Sequence, residues 1–189
     1  MFAEYHPDDV RSPAPPHLVV RPAAAVDCAS IAAIEHERDV EVDVADAEAR
    51  CRIQVADPNV CLVVAIVDTD ICGFGRAGRV EPAADAPTNS APAGWYLLGL
   101  IVRDQWRRQG IGRRLTEARL EWLAERTTEA FYFVNARNRV SLDLHEGLGF
   151  RELTRDFSFP GATFDGGVGS LGRIDLSGRQ PADDVPSRR

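Results

Sequence analysis

The chain of 189 residues has the length of one domain, and its 44% hydrophobic and 27% charged residues are typical of an ordinary globular protein with a sizeable core. Its formal net charge of −7 argues against general binding to nucleic acid or to a membrane surface. All 22 basic residues are arginine, which excludes lysine-based catalysis.

The two ends and the cysteines give further expectations. The N-terminal residues hold no apolar signal core and no segment approaches the length of a membrane span, which favours a cytoplasmic protein. We expect residues 1–16, rich in proline, and residues 177–189 to be disordered tails around one domain over 17–176. The four cysteines lack metal-ligand spacing, so we expect buried free thiols and no metal site.

Hydrophobic periodicity and turn residues predict eleven elements along the chain. Their order is strand, helix, helix, three strands, helix, strand, helix and two strands, over 17–21, 27–39, 44–55, 61–67, 71–80, 95–102, 110–126, 130–134, 138–149, 150–159 and 163–176. The strand–helix–strand unit over 95–134 should be a right-handed parallel crossover. The order predicts an α/β (mixed α+β) fold, a mixed sheet with helices on both faces.

Several local patterns give finer expectations. Asp27 should cap the first helix, with Val26 and Ile31 as a hydrophobic staple. The loop Glu81–Gly94 is long for a hairpin connection, and we expect disorder rather than a functional flap. The last two strands should meet across a turn at residues 160–161. The third helix should bury one face, formed by Ile111, Leu115, Ala118 and Trp122 with Leu123 alongside.

The most specific signal lies between residues 97 and 115, where an apolar run ends in a charged turn and a helical pattern follows. Gly110 and Gly112 flank Ile111 at the helix start, where bare N–H groups and the helix dipole can bind an anion. Five arginines crowd this turn: Arg103, Arg107, Arg108, Arg113 and Arg114. A Rossmann or Walker A loop would need residues that are missing here. The residues alone leave open a diphosphate cradle and a plain strand-to-helix turn.

Two motifs together resemble the GNAT superfamily of N-acetyltransferases. The first, Arg107-Arg108-Gln109-Gly110-Ile111-Gly112, matches the motif A pattern Gln/Arg-x-x-Gly-x-Gly/Ala. The second, residues 138–150, is similar to motif B, commonly Asn-x-x-Ala-x-x-Leu-Tyr-Glu-Lys-Leu-Gly-Phe. The element order agrees over residues 18–176. The resemblance implies the GNAT fold, a mixed and mostly antiparallel sheet that splays apart at the acetyl-CoA site.

The resemblance also implies a set of cofactor-binding residues. The pyrophosphate would bind the glycine loop, at Arg107, Arg108, Gln109, Gly110, Gly112 and Arg113. The pantetheine arm would pair with the strand at Leu100, Ile101 and Val102, with Gly99 either as the bulge that opens the strand or as a packing glycine. Asn138, Ser141 and His145 share one helix face, which is either the wall that faces the cofactor arm, with Val140 and Leu144 on the sheet, or a solvated face.

The catalytic groups are less complete in this sequence. The resemblance implies that the N–H of Val102 stabilises the oxyanion. His145 stands where many members have a tyrosine acid, and it is either an imidazolium proton donor or a bystander to protonation by water. The strand before the glycine loop holds no carboxylate, which leaves the base open between water and three loop residues, Glu35, Glu37 and Glu81.

These features predict an acyltransferase that moves an acetyl group from acetyl-CoA to a primary amine of a small molecule or metabolite. A protein acetyltransferase acting on N-termini or lysines is the alternative within the class. The alternative outside it is a non-catalytic acyl-CoA-binding regulatory module. Similar proteins commonly form homodimers through the closing hairpin, and this sequence leaves dimerisation open.

Overall fold

A seven-stranded sheet forms the centre of the structure, a computed structural model that describes residues 13–164 and 166–179. The strand order is β1-β2-β3-β4-β5-β7-β6, and every neighbouring pair is antiparallel except the parallel pair β4 and β5. The predicted mixed, mostly antiparallel sheet is confirmed. The strands are β1 (Val19–Pro22), β2 (Val60–Val67), β3 (Asp70–Val80), β4 (Gly94–Val102), β5 (Glu129–Asn135), β6 (Arg151–Thr154) and β7 (Gly169–Asp175).

Four α-helices in the described part of the chain cover the two faces of the sheet: α1 (Cys28–Arg38), α2 (Val44–Ala56), α3 (Ile111–Ala124) and α4 (Arg139–Glu146). The side that we call the α1 face packs α1 and α2 on Leu62, Val64 and Phe74. The opposite side, the α3 face, packs α3 and α4 on alternate residues of the same strands, such as Val63 and Ala65. Strand β2 is covered on both faces, which explains its unbroken apolar sequence.

The start of α1 differs from the prediction. A short 3-10 turn, Ala25–Asp27, precedes the helix, and the Asp27 carboxylate makes no cap on α1. It accepts two bonds from Arg21, at 2.7 and 2.9 Å, and one from the N–H of Ala24. The bonds from Arg21 hold the pKa of Asp27 below its usual value. The staple is wrong as well, because Val26 is 84% exposed.

The buried face of α3 is rotated relative to the predicted stripe. Ala118 and Trp122 lie half-buried at its edge. The buried residues are Ile111, Leu115, Thr116, Arg119, Leu120 and Leu123. Two of these are polar, so an apolar-periodicity argument passes over them. They can be buried because the Thr116 hydroxyl donates to the Gly112 carbonyl (2.8 Å) and Arg119 finds oxygen acceptors inside the fold.

The loop over residues 81–93 is ordered, so the expectation of disorder is wrong. It runs beside the described part of the β6–β7 connection, residues 155–164 and 166–168, where the Ala91 N–H donates to the Ser158 carbonyl (2.8 Å) and the Ser158 N–H to the Asn89 carbonyl (3.0 Å). The last two strands pair antiparallel as predicted, but the turn predicted at residues 160–161 is replaced by this longer connection, whose backbone bonds to the loop. Both loops lie over an aromatic cluster of Tyr96, Phe131, Phe133, Phe157, Phe159 and Phe164.

The cysteines and the chain ends complete the description. Cys28, Cys51, Cys61 and Cys72 are free and buried, as predicted. Burial raises the pKa of Cys61 to about 11 and that of Cys51 to about 12, so these thiols stay protonated at neutral pH. The predicted tails fall mostly outside the described residues, at 1–12 and 180–189. Among the helices that are described, none has the length and apolarity to cross a membrane.

Candidate active site

Strands β4 and β5 separate halfway along their length. Their ladder in the described chain consists of Tyr96 with Phe131 and Leu97 with Tyr132. Strand β4 stays paired with β3 as far as Val102. Beyond Leu97, therefore, β4 has a strand on one side and a wedge-shaped gap on the other. This is the splay that the motif resemblance implied.

A bulge at Gly99 marks the start of the gap. The register against β3 shifts here, so that Arg76 pairs with Leu98 while its neighbour Gly75 pairs with Leu100. Gly99 has φ of +49°, a left-handed conformation that favours glycine. The bulge reading of Gly99 is therefore correct. Leu98 faces the α1 side, whereas Leu100 packs on the α3 face.

The backbone of β4 points polar groups into the gap. The Arg103 N–H donates to the Cys72 carbonyl, 2.9 Å away, and direction alternates along an antiparallel ladder. The backbone N–H and C=O groups of Ile101 therefore point toward β3, whereas those of Leu100 and Val102 point away from β3 and into the gap. The Val102 carbonyl accepts from Arg107 Nε at 3.1 Å. The gap thus presents strand-edge groups that β5 does not pair to any chain-like ligand that enters it.

Arg119 of α3 holds the bulge from beneath. Its Nη1 donates to the carbonyls of Arg76 (3.0 Å) and Gly99 (3.4 Å), which belong to the two strands, β3 and β4, that meet at the register shift. Its other donors bind the Leu115 carbonyl and the Thr116 hydroxyl. The side chain is 1% exposed, and burial lowers its pKa to about 10, so it stays charged at neutral pH.

The glycine loop stands at the open end of the gap. Gly110 is the N-cap of α3 with φ of +76°, and a Cβ placed there would meet no atom within 4 Å. A Cβ on Gly112 would lie 3.7 Å from Leu100 and 3.9 Å from Leu144. The first turn of α3 therefore lies between β4 and α4. Its N–H groups lack helical partners and carry the positive end of the helix dipole.

The side chains of the loop are mostly engaged with the protein itself. Arg107 braces the end of β4 and pairs with Asp104 at 2.6 Å. Arg113 pairs with Glu117 at 2.9 Å but remains half exposed, and Gln109 donates to the Gln105 carbonyl. Arg108 is half-buried with φ of +63°. The predicted arginine cluster is present, but most of its side chains already have protein partners. The backbone of the loop is therefore more accessible to a ligand than the side chains are.

Helix α4 forms the far wall of the gap. Asn138 caps it, with Oδ1 accepting from the Ser141 N–H at 3.1 Å. The predicted side is wrong for His145, which packs on the sheet, whereas Leu144 packs against the core of the α3 face beside Gly112. The imidazole stacks on Tyr132 with centroids 3.9 Å apart, a contact that favours burial of the ring.

The environment of His145 fixes its protonation. The side chain is 5% exposed, and burial lowers its pKa to about 4 while the Ser141 carbonyl partly opposes that shift. The carbonyl lies 2.7 Å from Nδ1, which must therefore carry the proton of the neutral ring. The imidazolium that the sequence analysis invoked is scarce at neutral pH. The acid role stays a prediction.

A cavity of about 350 Å³ lies on the α1 face. Leu98 lines it, one residue past the last β4–β5 pair, so the cavity reaches β4 where the gap begins. Its polar lining comes from Gln54, Asp57, Asn59, Arg76 and Arg79.

The three carboxylates considered as bases each contact an arginine on this side. Glu35 pairs with Arg76 and Arg50, and Glu81 pairs with Arg79. Glu37 pairs with Arg103 beside a smaller cavity of about 200 Å³.

Comparison with known protein families decides the class of the chain. The model of the Acetyltransferase (GNAT) family matches residues 27–150, which contain the bulged strand, the glycine loop and α4. The chain belongs to this family. Enzymes of the family use acetyl-CoA as the acetyl donor. The described residues hold no group of three histidine, cysteine or acidic side chains that could bind a metal.

Solved GNAT structures share the fold at low sequence identity. A putative acetyltransferase from Salmonella typhimurium with acetyl-CoA has a TM-score of 0.66 at 18% identity, over 88% of this chain and 99% of that one. A phosphinothricin acetyltransferase from Sinorhizobium meliloti has 0.66 at 16%, over 90% and 96%. A ribosomal-protein-alanine N-acetyltransferase from Brucella melitensis has 0.65 at 20%, over 83% and 99%. The curated proteins gave no sequence match.

Two arginines of this GNAT domain were missed by sequence reasoning. Arg119 carried a weak signal, a charged residue on an apolar helix face, and its contact with Gly75 needs the three-dimensional fold. Arg76 carried none, because its neighbours Glu35, Gln54 and Gly99 are distant in sequence.

Proposed function

We propose that the protein transfers an acetyl group from acetyl-CoA to a primary amine of a small molecule. The observation that carries this proposal is the gap beyond Leu97, where Leu100 and Val102 present backbone groups and the first turn of α3 closes the open end. An extended amide-bearing arm ending in a diphosphate matches both features.

The donor site follows from this match. Leu100, Ile101 and Val102 form the strand edge that holds the pantetheine arm. The N–H groups of Gln109, Gly110, Gly112 and Arg113 bind the pyrophosphate, with Arg107 and Arg108 adding positive charge. Gly110 fits this role because the space in front of it is open. Asn138 and Ser141 shape the α4 wall.

The chemistry requires a neutral amine that attacks the thioester carbonyl of acetyl-CoA. The carbon–sulfur bond then breaks, the nitrogen of the new amide loses one proton to solvent, and coenzyme A leaves as a thiolate that takes up one proton. In this chain the Val102 N–H points into the gap and stabilises the oxyanion. His145 supplies the proton to the thiolate only where its imidazolium is populated, and the low pH that populates it also protonates the attacking amine, so an acid role predicts no gain in turnover toward pH 4–5.

The size of the acceptor side supports a small substrate. A cavity of about 350 Å³ lies within the range that binds metabolites. The paired loops over the aromatic cluster cover the neighbouring part of the α1 face.

The test combines calorimetric titration of acetyl-CoA with a thiol-release assay over small amines and over peptides with free N-termini or lysines. We expect tight binding and coenzyme A release with small amines. Release with peptides alone would overturn the small-molecule acceptor. Binding without release for every acceptor would overturn the enzyme in favour of a binding module. Homodimerisation through β6 and β7 stays a prediction, which the molar mass in solution tests.

A further inference from the structure

Arg76 lies where the acceptor cavity meets the bulge of β4. It belongs to β3 and pairs with Leu98, and both residues line the cavity. Its guanidinium lies over Gly99, because a Cβ built on Gly99 would be 3.2 Å from Nη2. A group bound by Arg76 would therefore lie beside the start of the gap.

The hydrogen-bonding capacity of Arg76 is poorly used within the described chain. Its contacts are long, at 3.4 Å from Nη1 to Gln54 Oε1 and 3.6 Å from Nη2 to Glu35. Its Nε is buried and has no partner among the described residues. Arg103, by contrast, makes two bonds of 3.0 Å to Glu37. Charge-assisted bonds normally measure about 2.7–2.9 Å, so Arg76 lacks a close anionic partner.

The carboxylates around Arg76 leave its guanidinium without an anionic partner of its own. Glu35 is shared between Arg76 and Arg50, two cations for one carboxylate. The oxygens of the other acids nearby are engaged, because Asp57 Oδ1 accepts from the Asn59 N–H at 2.8 Å and Glu81 pairs with Arg79. Arg76 therefore shares its one nearby carboxylate with Arg50, and the other acids of this wall accept from other donors.

We propose that Arg76 binds a carboxylate of the acceptor, so the substrate class is an amino acid. The inference rests on the proposed acetyl transfer and specifies its acceptor. A carboxylate held by the planar guanidinium fork fixes one end of the molecule, and the amine then reaches the gap beside Leu98. A cavity of about 350 Å³ accommodates a molecule of that size.

The test compares L-amino acids with their own α-amides in the thiol-release assay. The α-amine of an amide is less basic and more often neutral, so chemistry alone favours the amide. We expect the wild type to prefer the acid nonetheless. In Arg76→Gln we expect KM for the acids to rise at least about tenfold, while kcat/KM for the amides and the affinity for acetyl-CoA stay unchanged.

Arg50→Gln is the matched control, because Arg50 also pairs with Glu35 but does not line the cavity. It should leave the preference for acids intact, and Arg76→Lys should retain part of it. The proposal is overturned if the wild type prefers the amides, if Arg76→Gln weakens acids and amides equally, or if Arg50→Gln has the same effect. If Arg76→Gln fails to fold, the preference of the wild type for acids over amides, and the part of it that Arg76→Lys retains, decide the question.

A second measurement separates this proposal from the proposed function. Calorimetric titration of amino acids and amides into the protein saturated with coenzyme A requires no turnover. Acid-selective binding that Arg76→Gln abolishes would support the carboxylate site even if no amine releases coenzyme A. Equal binding of acids and amides would overturn it even if acetyl transfer occurs.

Discussion

The two sides of the bulged strand are built from different parts of the chain. On the donor side, the gap and the glycine loop present main-chain groups of one continuous stretch, residues 97–113. On the α1 face, which we propose as the acceptor side, the cavity is lined by side chains from α2, the β2 region, β3 and β4. A backbone site depends on a few glycines and on strand pairing. A side-chain site depends on the identity of residues that meet only after folding.

The largest effect is expected on the donor side, as a loss of affinity for acetyl-CoA. Gly110→Asp should weaken acetyl-CoA binding by a hundredfold or more, because a carboxylate would stand where the phosphates bind, at a cost on the order of 3 kcal/mol. Calorimetric titration measures it. Gly110→Asn adds a side chain of nearly the same size without the charge, so it separates the effect of charge from that of size. Gly161→Asp is the matched control, since Gly161 also has positive φ, +70°, and open space around it. Equal losses in Gly110→Asp and Gly161→Asp would contradict a phosphate site at the glycine loop.

A smaller effect is expected at Arg119, which supports the bulge between the two sides. Arg119→Met should lower the free energy of unfolding by about 2 kcal/mol, because the buried carbonyls of Arg76 and Gly99 lose their donor. It should also weaken acetyl-CoA binding, since the bulge aims Leu100 and Val102 into the gap. Urea denaturation measures the first effect. Arg114→Met, exposed on the same helix, should change stability by less than about 0.5 kcal/mol. Matching stabilities of the two variants would show that Arg119 does not hold the bulge.

The smallest expected effect concerns pH and His145. Its pKa falls from 6.5 in the unfolded chain to about 4 in the fold, so the unfolded state binds the proton more tightly. The stabilising contribution is complete above about pH 6.5 and is lost as the pH falls toward 4, by about 1 kcal/mol at about pH 5.5. Denaturant titrations of the wild type and of His145→Phe, which keeps a stacked ring, measure the difference. Parallel pH profiles of the two proteins would show that His145 is not buried in neutral form.

The donor side was largely readable from the sequence for a physical reason. The free amides of a helix start and an apolar run that identifies β4 follow from local residue types, whereas the bulge at Gly99 was one of two alternatives and the splay came from the motif resemblance. The orientation of His145 was not readable, because helical spacing does not say whether a ring packs on Tyr132 or faces a ligand. The acceptor cavity was not readable either, since Arg76 and Leu98 become neighbours only through the β3–β4 register.

The loop over residues 81–93 also shows the limit of local sequence, because here the local sequence suggested disorder and the fold provides order. Its alanine and proline content suggested disorder, yet it is ordered by bonds to a connection that lies more than sixty residues away in the chain, such as Asn89 to Asp156 at 2.8 Å. Composition describes the loop in isolation. Its order comes from a partner that local sequence does not reveal.

Amide hydrogen exchange at β4, resolved by NMR with and without acetyl-CoA, tests the central claim most directly. The Ile101 N–H bonds toward β3 and should be protected in both states. The N–H groups of Leu100 and Val102 point into the gap, so they should exchange quickly in the free protein and become protected when acetyl-CoA binds. Protection of Leu100 and Val102 that is the same in both states would contradict a donor site built on the edge of β4.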